Sequence, residues 1–213
     1  MPGLQSLPLR ADARRNRESI LEAARKAFRE RGLDVGVEEI ARRAGVGKAT
    51  FFRRFPTKEA LILAIFEDFV EDVERASDRA LAEETDSSLA SLRSFLRASM
   101  AHQAENKGFF DAVAARFIPP PELTDRAVEA IARVMEPAQN CGDLRPGTEP
   151  GDISIAAKML GASVRPMAGM LLPEESWDRY LDIVLDGLTG DEALGGVAAD
   201  PCAVVRGVAA ESA

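Results

Sequence analysis

The sequence predicts an all-α protein of about nine helices. Apolar residues recur every three or four positions along most of the 213 residues, whereas no segment alternates apolar and polar residues for long enough to form a sheet. Glycines, prolines and short polar residues stand where the apolar stripes end. No apolar run reaches the roughly 18 residues of a membrane helix, and the N-terminus lacks the apolar core of a secretory signal, so a cytoplasmic protein is expected.

The N-terminal quarter of the chain contains three predicted helices. The first ends at Gly32, and its apolar stripe consists of Ile20, Leu21, Ala24, Ala27 and Phe28. The second helix covers about 37–44 and ends at Gly45, and the third covers about 48–54. Because only the turn at Gly45 separates these two helices, they have the proportions of a helix-turn-helix module.

The remaining helices are predicted to form a larger body. Pro56 breaks the third helix, and Thr57 can cap a long fourth helix that reaches about Glu84. Five further helices are predicted over about 86–104, 106–118, 122–136, 153–164 and 174–188. Residues 191–213 are rich in Gly, Ala and Val without a helical stripe, and we expect this tail to be disordered.

Positive charge is concentrated at the N-terminal end. Residues 1–58 contain 14 Lys and Arg against 7 Asp and Glu, a net charge of +7, whereas residues 59–213 contain 13 against 28, a net charge of −15. A solvated surface would not require this segregation. A polyanion such as double-stranded DNA would be attracted to the basic part alone.

The segment GVGKATFFRRFPTKEAL, residues 45–61, combines basic and aromatic residues at helical spacing. Phe51 and Phe55 are predicted to face the core, and in a helix-turn-helix the helix that carries them enters the major groove. The residues predicted to contact DNA are therefore Arg43, Lys48, Ala49, Thr50, Phe52, Arg53, Arg54 and, at the start of the fourth helix, Lys58. The alternative is a solvated cationic face.

Three parts of the chain together resemble the TetR family of transcriptional regulators: ILEAARKAFRERG, EEIARRAGVGKATFFRRFPTKEAL and the long acidic helical body. The close match covers about residues 17–66. The resemblance implies a homodimer with a three-helix DNA-binding head, a ligand-binding body and a dimer interface on the last two helices. It implies an N-terminal arm and head at 1–57, a body at 58–190, and a repressor that a small ligand releases from a near-palindromic operator.

Three features of the head depart from the family pattern. The threonine that often caps the second helix is absent, the loop from Gly32 to Ile40 is one residue shorter, and Gly36 is a weaker cap. The family commonly carries a tyrosine, whose hydroxyl bonds a backbone phosphate, where this chain has Phe52, so this ring meets a sugar or a thymine methyl group instead. Arg54 stands where the family often has histidine, and it adds a permanent charge. Upstream, four arginines form either an arm that reaches DNA or a disordered basic tail, namely Arg10, Arg14, Arg15 and Arg17.

The candidate ligand pocket is an aromatic and thioether surface of the body. It suits a mainly apolar effector that is neutral or cationic, because the field of the acidic body opposes an anion. His102 and Gln103 are its polar handles, and the other predicted lining residues are Phe66, Phe69, Phe95, Met100, Phe110, Phe117 and Met159. The alternative is that these side chains are core. A regulator gated by a protein partner, or by thiol oxidation at Cys141, is the competing functional hypothesis.

The predicted dimer interface lies on the eighth and ninth helices. Its predicted members are Gly161, Val164, Trp177, Tyr180, Leu181, Val184 and Leu188. The alternative is that this side packs only on its own subunit. The chain has one histidine, two distant cysteines and no catalytic or phosphate-cradling motif, so an enzyme, a cofactor and a metal site are not expected.

Overall fold

The structure is a computed structural model that describes residues 6–85, 87–113, 117–163 and 176–196. The all-α class is confirmed, because these residues form helices and one 3₁₀ turn (Gly32–Asp34) and contain no β-strand. None of the described helices is long and apolar enough to cross a membrane. The helices are α1 (Ser6–Arg31), α2 (Val37–Arg43), α3 (Lys48–Arg54), α4 (Lys58–Ala82), α5 (Ala90–Val113), α6 (Pro121–Cys141), α7 (Pro150–Ser163) and α8 (Trp177–Leu188).

Helix α5 takes the place of two predicted helices. The Asn-Lys-Gly segment at 106–108 predicts a break, but α5 runs from Ala90 to Val113, so the described residues contain eight helices rather than nine. An interior glycine costs a helix only about 1 kcal/mol. Burial of Phe109, whose ring centroid lies 5.4 Å from that of Phe66, outweighs this cost.

The chain divides into two compact units. The first consists of the described residues of Met1–Asp68 together with Gly108–Val113, and the second consists of Phe69–Lys107 and the described residues of Ala114–Ala213. The first unit therefore contains α1 to α3 and the first part of α4. The second contains the rest of α4, most of α5, and α6 to α8.

The core of the first unit buries the stripes that the sequence predicts. Helix α1 packs against α2, and α2 packs against α3. The structure buries the predicted stripe of the first helix (Ile20, Leu21, Ala24, Ala27 and Phe28) and the predicted pair Phe51 and Phe55, and with them Ile40, Ala41, Leu61 and Ile65. This burial follows from the helical period, because residues three and four apart share one face.

The turn between α2 and α3 is a Schellman motif. Gly45 has a φ of +68°, in the left-handed region that favours glycine. The N–H of Val46 donates to the carbonyl of Ala41 at 3.0 Å, and the N–H of Gly45 donates to the carbonyl of Arg42 at 3.2 Å. These bonds satisfy the end of α2, so α3 can begin after a short turn.

Helices α4 to α8 contribute to one apolar core in the second unit. Its members include Phe95, Leu96 and Met100 of α5, Val134 and Met135 of α6, Ile153 and Leu160 of α7, and Leu181, Leu185 and Leu188 of α8. The buried hydroxyl of Ser77 donates to the carbonyl of Ala130 at 2.8 Å, which joins α4 to α6. Residues 189–196 follow α8 without a helix, and residues 197–213 of the predicted disordered tail lie outside the described residues.

Candidate nucleic-acid interface

Helix α3 presents an exposed face opposite a buried aromatic pair. Phe51 and Phe55 are buried, with ring centroids 6.1 Å apart. At about 100° per residue, Ala49 and Arg53 lie on the opposite side of the helix. The predicted residues that reach solvent are Lys48, Ala49, Phe52, Arg53 and Arg54, with Thr50 half-buried beside them. The structure thus gathers six of the eight predicted DNA contacts on one seven-residue helix.

The cations on this face differ in their partners. Lys48 Nζ lies 2.8 Å from Glu38 Oε1, and this hydrogen bond lowers the pKa of Glu38. Both side chains are exposed, and exposed pairs are weak, so a phosphate can take the place of the carboxylate. Arg53 and Arg54 have no ion pair in the described part of the chain. These two guanidinium groups are therefore available to an anion without losing a partner.

Arg43 belongs to the packing of the first unit rather than to the exposed face. Its side chain is only 24% exposed, with Nη1 2.6 Å from Glu30 Oε2 and Nε 2.8 Å from Glu39 Oε1. Hydrogen bonds from Arg42 and Arg43 lower the pKa of Glu39 to about 2. The guanidinium joins α1 to α2, so we expect Arg43 to stabilise the first unit rather than to contact DNA. The spacing of Glu39 to both arginines is visible in the sequence, whereas the bond to Glu30 depends on packing.

Lys58 holds the start of α4 in place. Its Nζ donates to the carbonyl oxygen of Leu33 in the 3₁₀ turn. Next to it, Thr57 Oγ1 accepts the N–H of Ala60 at 3.1 Å, which confirms the predicted cap. An ammonium group has three N–H donors, so Lys58 can keep this bond and still donate to a phosphate.

The N-terminal arginines lie on a helix, not on an extended arm. Helix α1 begins at Ser6, about one turn of helix before Arg10, whose side chain lies outside the described residues. The other three have carboxylate partners: Glu18 for Arg14, Asp12 for Arg15 and Asp68 for Arg17. The last bond, 3.1 Å long, joins α1 to α4 within the first unit.

The predicted ligand-lining residues are divided between the two units. In the first unit, Phe66 and Phe110 have ring centroids 5.8 Å apart. Both also contact Phe109, at 5.4 Å and 5.5 Å, and Phe28 lies 6.0 Å from Phe109. These four rings form an aromatic cluster that holds α1, α4 and the end of α5 together.

In the second unit, the predicted lining residues have three different environments. Phe95 and Met100 are buried in the core, which agrees with the alternative that the candidate pocket side chains are core residues. Met159, in contrast, is 62% exposed. Phe69 and His102 are half-buried and stacked, with ring centroids 5.2 Å apart. Gln103 and Phe117 are also half-buried. His102 Nε2 lies 3.1 Å from Asp72 Oδ2, which fixes the orientation of the imidazole.

The predicted dimer residues mostly hold their own unit together. Five of them are buried in the core or pack against it, namely Gly161, Trp177, Leu181, Val184 and Leu188. A Cβ at Gly161 would lie 2.4 Å from Gln103 Cβ, so this glycine allows α7 to approach α5. Val164 lies outside the described residues. The large apolar side chains that α7 and α8 expose are Met159, Ile183 and Tyr180, of which Tyr180 is a predicted interface residue and Ile183 is 56% exposed.

One groove of the second unit involves none of the predicted pocket residues. It has a volume of about 390 Å³ and is lined by the end of α6, the α6–α7 connection and residues that follow α8, among them Gln139, Arg145 and Asp191. Arg145 Nε is buried without a hydrogen-bond partner in the described chain. The sequence marks this connection only as a polar loop. No group of His, Cys, Asp and Glu in the described residues could hold a metal ion.

Comparisons with known proteins point to one family. Residues 20–65 match the model of the bacterial regulatory proteins, tetR family. A TetR transcriptional regulator from Streptomyces coelicolor is 33% identical, with 81% of this chain and 98% of that chain covered and a TM-score of 0.59. A TetR transcription regulatory protein from Mycobacterium vanbaalenii is 30% identical over 86% and 100%, with a TM-score of 0.61. A regulator from Marinobacter aquaeolei, 19% identical over 85% and 98%, shares the fold with a TM-score of 0.68. No curated protein sequence matches the chain.

Proposed function

Because the chain belongs to the TetR family of bacterial regulatory proteins, we propose that it is a repressor that leaves a near-palindromic DNA operator when a small ligand binds. Members of this family are transcription regulators and not enzymes. The observation that carries the proposal is the exposed face of α3, where Arg53 and Arg54 have no partner in the described chain. On an otherwise acidic protein, this face is a site for a polyanion.

The DNA-binding domain in this proposal is residues 1–57, extended by Lys58 at the start of α4. Thr50 faces the base edges, Arg53 contacts a base edge and a phosphate, and Lys48, Arg54 and Lys58 contact phosphates. Lys48 exchanges Glu38 for a phosphate on binding, which costs little because the pair is exposed.

The operator is bound by a homodimer. The exposed side chains of Met159, Tyr180 and Ile183 give α7 and α8 an apolar surface that a second copy would cover. The symmetry of a dimer places two copies of α3 in successive major grooves, about 34–36 Å apart, which requires a near-palindromic operator.

The body, residues 58–190, is the proposed ligand-binding and dimerisation domain. Phe69, His102 and Gln103 are half-buried side chains on α4 and α5 that offer an aromatic face and polar atoms to a mainly apolar ligand. The ligand acts by favouring a conformer whose two heads no longer match the operator spacing. Its effect is limited by the difference between its affinities for the two conformers.

DNA binding is tested by selecting duplexes from a random pool with the full-length protein and measuring Kd against salt concentration. If each head neutralises about four phosphates, log K should fall with log salt with a slope of about −7. A slope shallower than about −2 would contradict the assigned interface.

Ligand release is tested on the selected duplex by fluorescence anisotropy with a panel of neutral, cationic and anionic apolar compounds. Phe69→Ala should retain operator affinity and respond less to the active compound. Phe95→Ala is the matched control, because Phe95 is buried and its truncation costs about 3–5 kcal/mol of stability. If Phe69→Ala lowers Tm and abolishes operator binding as Phe95→Ala does, Phe69 is core and the pocket assignment fails.

The competing proposal is gating by a protein partner or by thiol oxidation. Cys141, at the end of α6, is exposed and so can be reached by an oxidant. Release of the operator by hydrogen peroxide in the wild type, but not in Cys141→Ser, would favour oxidation. If neither a compound nor the oxidant releases the operator, the ligand part of the proposal is contradicted and a protein partner remains.

A further inference from the structure

We infer that Phe52 reads a thymine in each half of the operator by contacting the C5-methyl group of that base. This inference rests on the proposed function, because it requires α3 to lie in the major groove. Phe52 is 36% exposed, whereas its neighbour Phe51 is completely buried and Phe55 is 5% exposed. The exposed surface of α3 therefore includes one aromatic ring, which is next to Arg53 in the sequence and close to Lys48.

The ring of Phe52 is held in a defined position before DNA arrives. It meets the buried ring of Phe51 edge-on, with centroids 5.6 Å apart and an angle of 80° between the planes. Lys48 Nζ lies over the same ring, 5.9 Å from its centroid. A ring that is already fixed loses little side-chain entropy on binding, so almost all of the free energy of its contact contributes to affinity.

The chemistry of the major groove identifies the partner of this ring. Phenylalanine has no donor or acceptor, so it cannot bond a phosphate or the polar edge of a base. The thymine methyl is the apolar group that base edges present in the major groove of unmodified DNA. Placing a polar base edge against the ring would leave that edge without a hydrogen bond, which favours thymine over the other bases. Deoxyribose is also apolar, but it occurs at every nucleotide and would give no sequence preference.

The size of the effect follows from one buried methyl group in each half-site. Burial of one methyl group corresponds to about a fourfold change in Kd for one half-site, and to about fifteenfold for a symmetric dimer. Ala49 and Thr50 also carry methyl groups near this face. The experiment must therefore separate the contribution of Phe52 from theirs.

The test combines base and side-chain changes on the full-length protein. A duplex selected from a random pool is remade with deoxyuridine in place of each thymine in turn, at symmetric positions of both half-sites. Kd is measured by fluorescence anisotropy for the wild type, Phe52→Ala and Phe52→Leu. Thermal melts establish that the variants are folded, which is expected because Phe52 is partly exposed.

At one thymine position, loss of the methyl group should weaken wild-type binding by about fifteenfold and Phe52→Ala binding by less than about twofold. Phe52→Leu, which keeps an apolar side chain, should retain part of the sensitivity.

If loss of the methyl group weakens binding equally in the wild type and in Phe52→Ala, another residue makes the methyl contact and the inference is overturned. Operator binding with no sensitive thymine would also overturn it, in favour of a sugar contact, while leaving the proposed function intact. Failure to enrich any duplex would contradict the proposed function itself, and the inference with it.

Discussion

Substitution by glutamine should have different effects at Arg53 and at Arg43: at Arg53 it should change the salt dependence of DNA binding, and at Arg43 it should change the thermal stability. Both lie in the helix-turn-helix, but Arg53 is exposed without an ion pair in the described chain, whereas Arg43 bonds Glu30 and Glu39. Each phosphate neutralised contributes about 0.9 to the slope of log K against log salt. Since a dimer carries two copies, Arg53→Gln should flatten the slope by about 1.8 units. Arg43→Gln should leave the slope unchanged and lower Tm, because it removes the ion pair that joins α2 to α1.

The pH dependence of Tm gives a second measure of the role of Arg43. The pKa of Glu39 falls from 4.5 to about 2 on folding, because it accepts hydrogen bonds from Arg42 and Arg43. A carboxylate whose pKa is lowered by folding stabilises the protein above its unfolded pKa, and this stabilisation is lost as pH falls through the folded value. The difference in Tm between the wild type and Arg43→Gln should therefore be largest above pH 4.5 and shrink towards pH 2.

Salt titrations of operator binding and thermal melts decide between the two assignments. A flattened slope for Arg43→Gln with unchanged Tm would show that Arg43 leaves its carboxylates for a phosphate, and our account of its packing would be wrong. An unchanged slope for Arg53→Gln would refute the assignment of the exposed face of α3.

Three further predictions concern the second unit. Ile183→Glu should give a folded monomer by analytical ultracentrifugation and weak operator binding, whereas Leu181→Glu, at a buried position, should unfold the chain by circular dichroism. Gly161→Ala should cost about 1–3 kcal/mol in denaturant unfolding, because its new Cβ would lie 2.4 Å from Gln103 Cβ, and an unchanged midpoint would refute this packing. Burial lowers the pKa of Lys158 from 10.5 to about 8. Between these pH values the unfolded state still binds the proton that the folded state has lost, so Tm should rise with pH, and Lys158→Met should abolish this rise.

The sequence by itself determined the helical class and the internal geometry of the head. The helical period is local, so it correctly places Phe51 and Phe55 inside and Phe52 and Arg53 outside. The turn at Gly45 is equally local, because its left-handed φ depends on a residue without a Cβ. These relations need no knowledge of distant parts of the chain.

The tertiary structure alone decided which cations are already paired and which apolar sides are covered. Arg43 is basic in the sequence, but packing of α2 on α1 brings Glu30, thirteen residues away, within 2.6 Å of it. Helix α8 carries apolar residues on more than one side, and its period cannot tell which side meets its own core. The structure buries Leu181 and leaves Ile183 exposed, because the position of α7 and α5 determines which side of α8 loses its water.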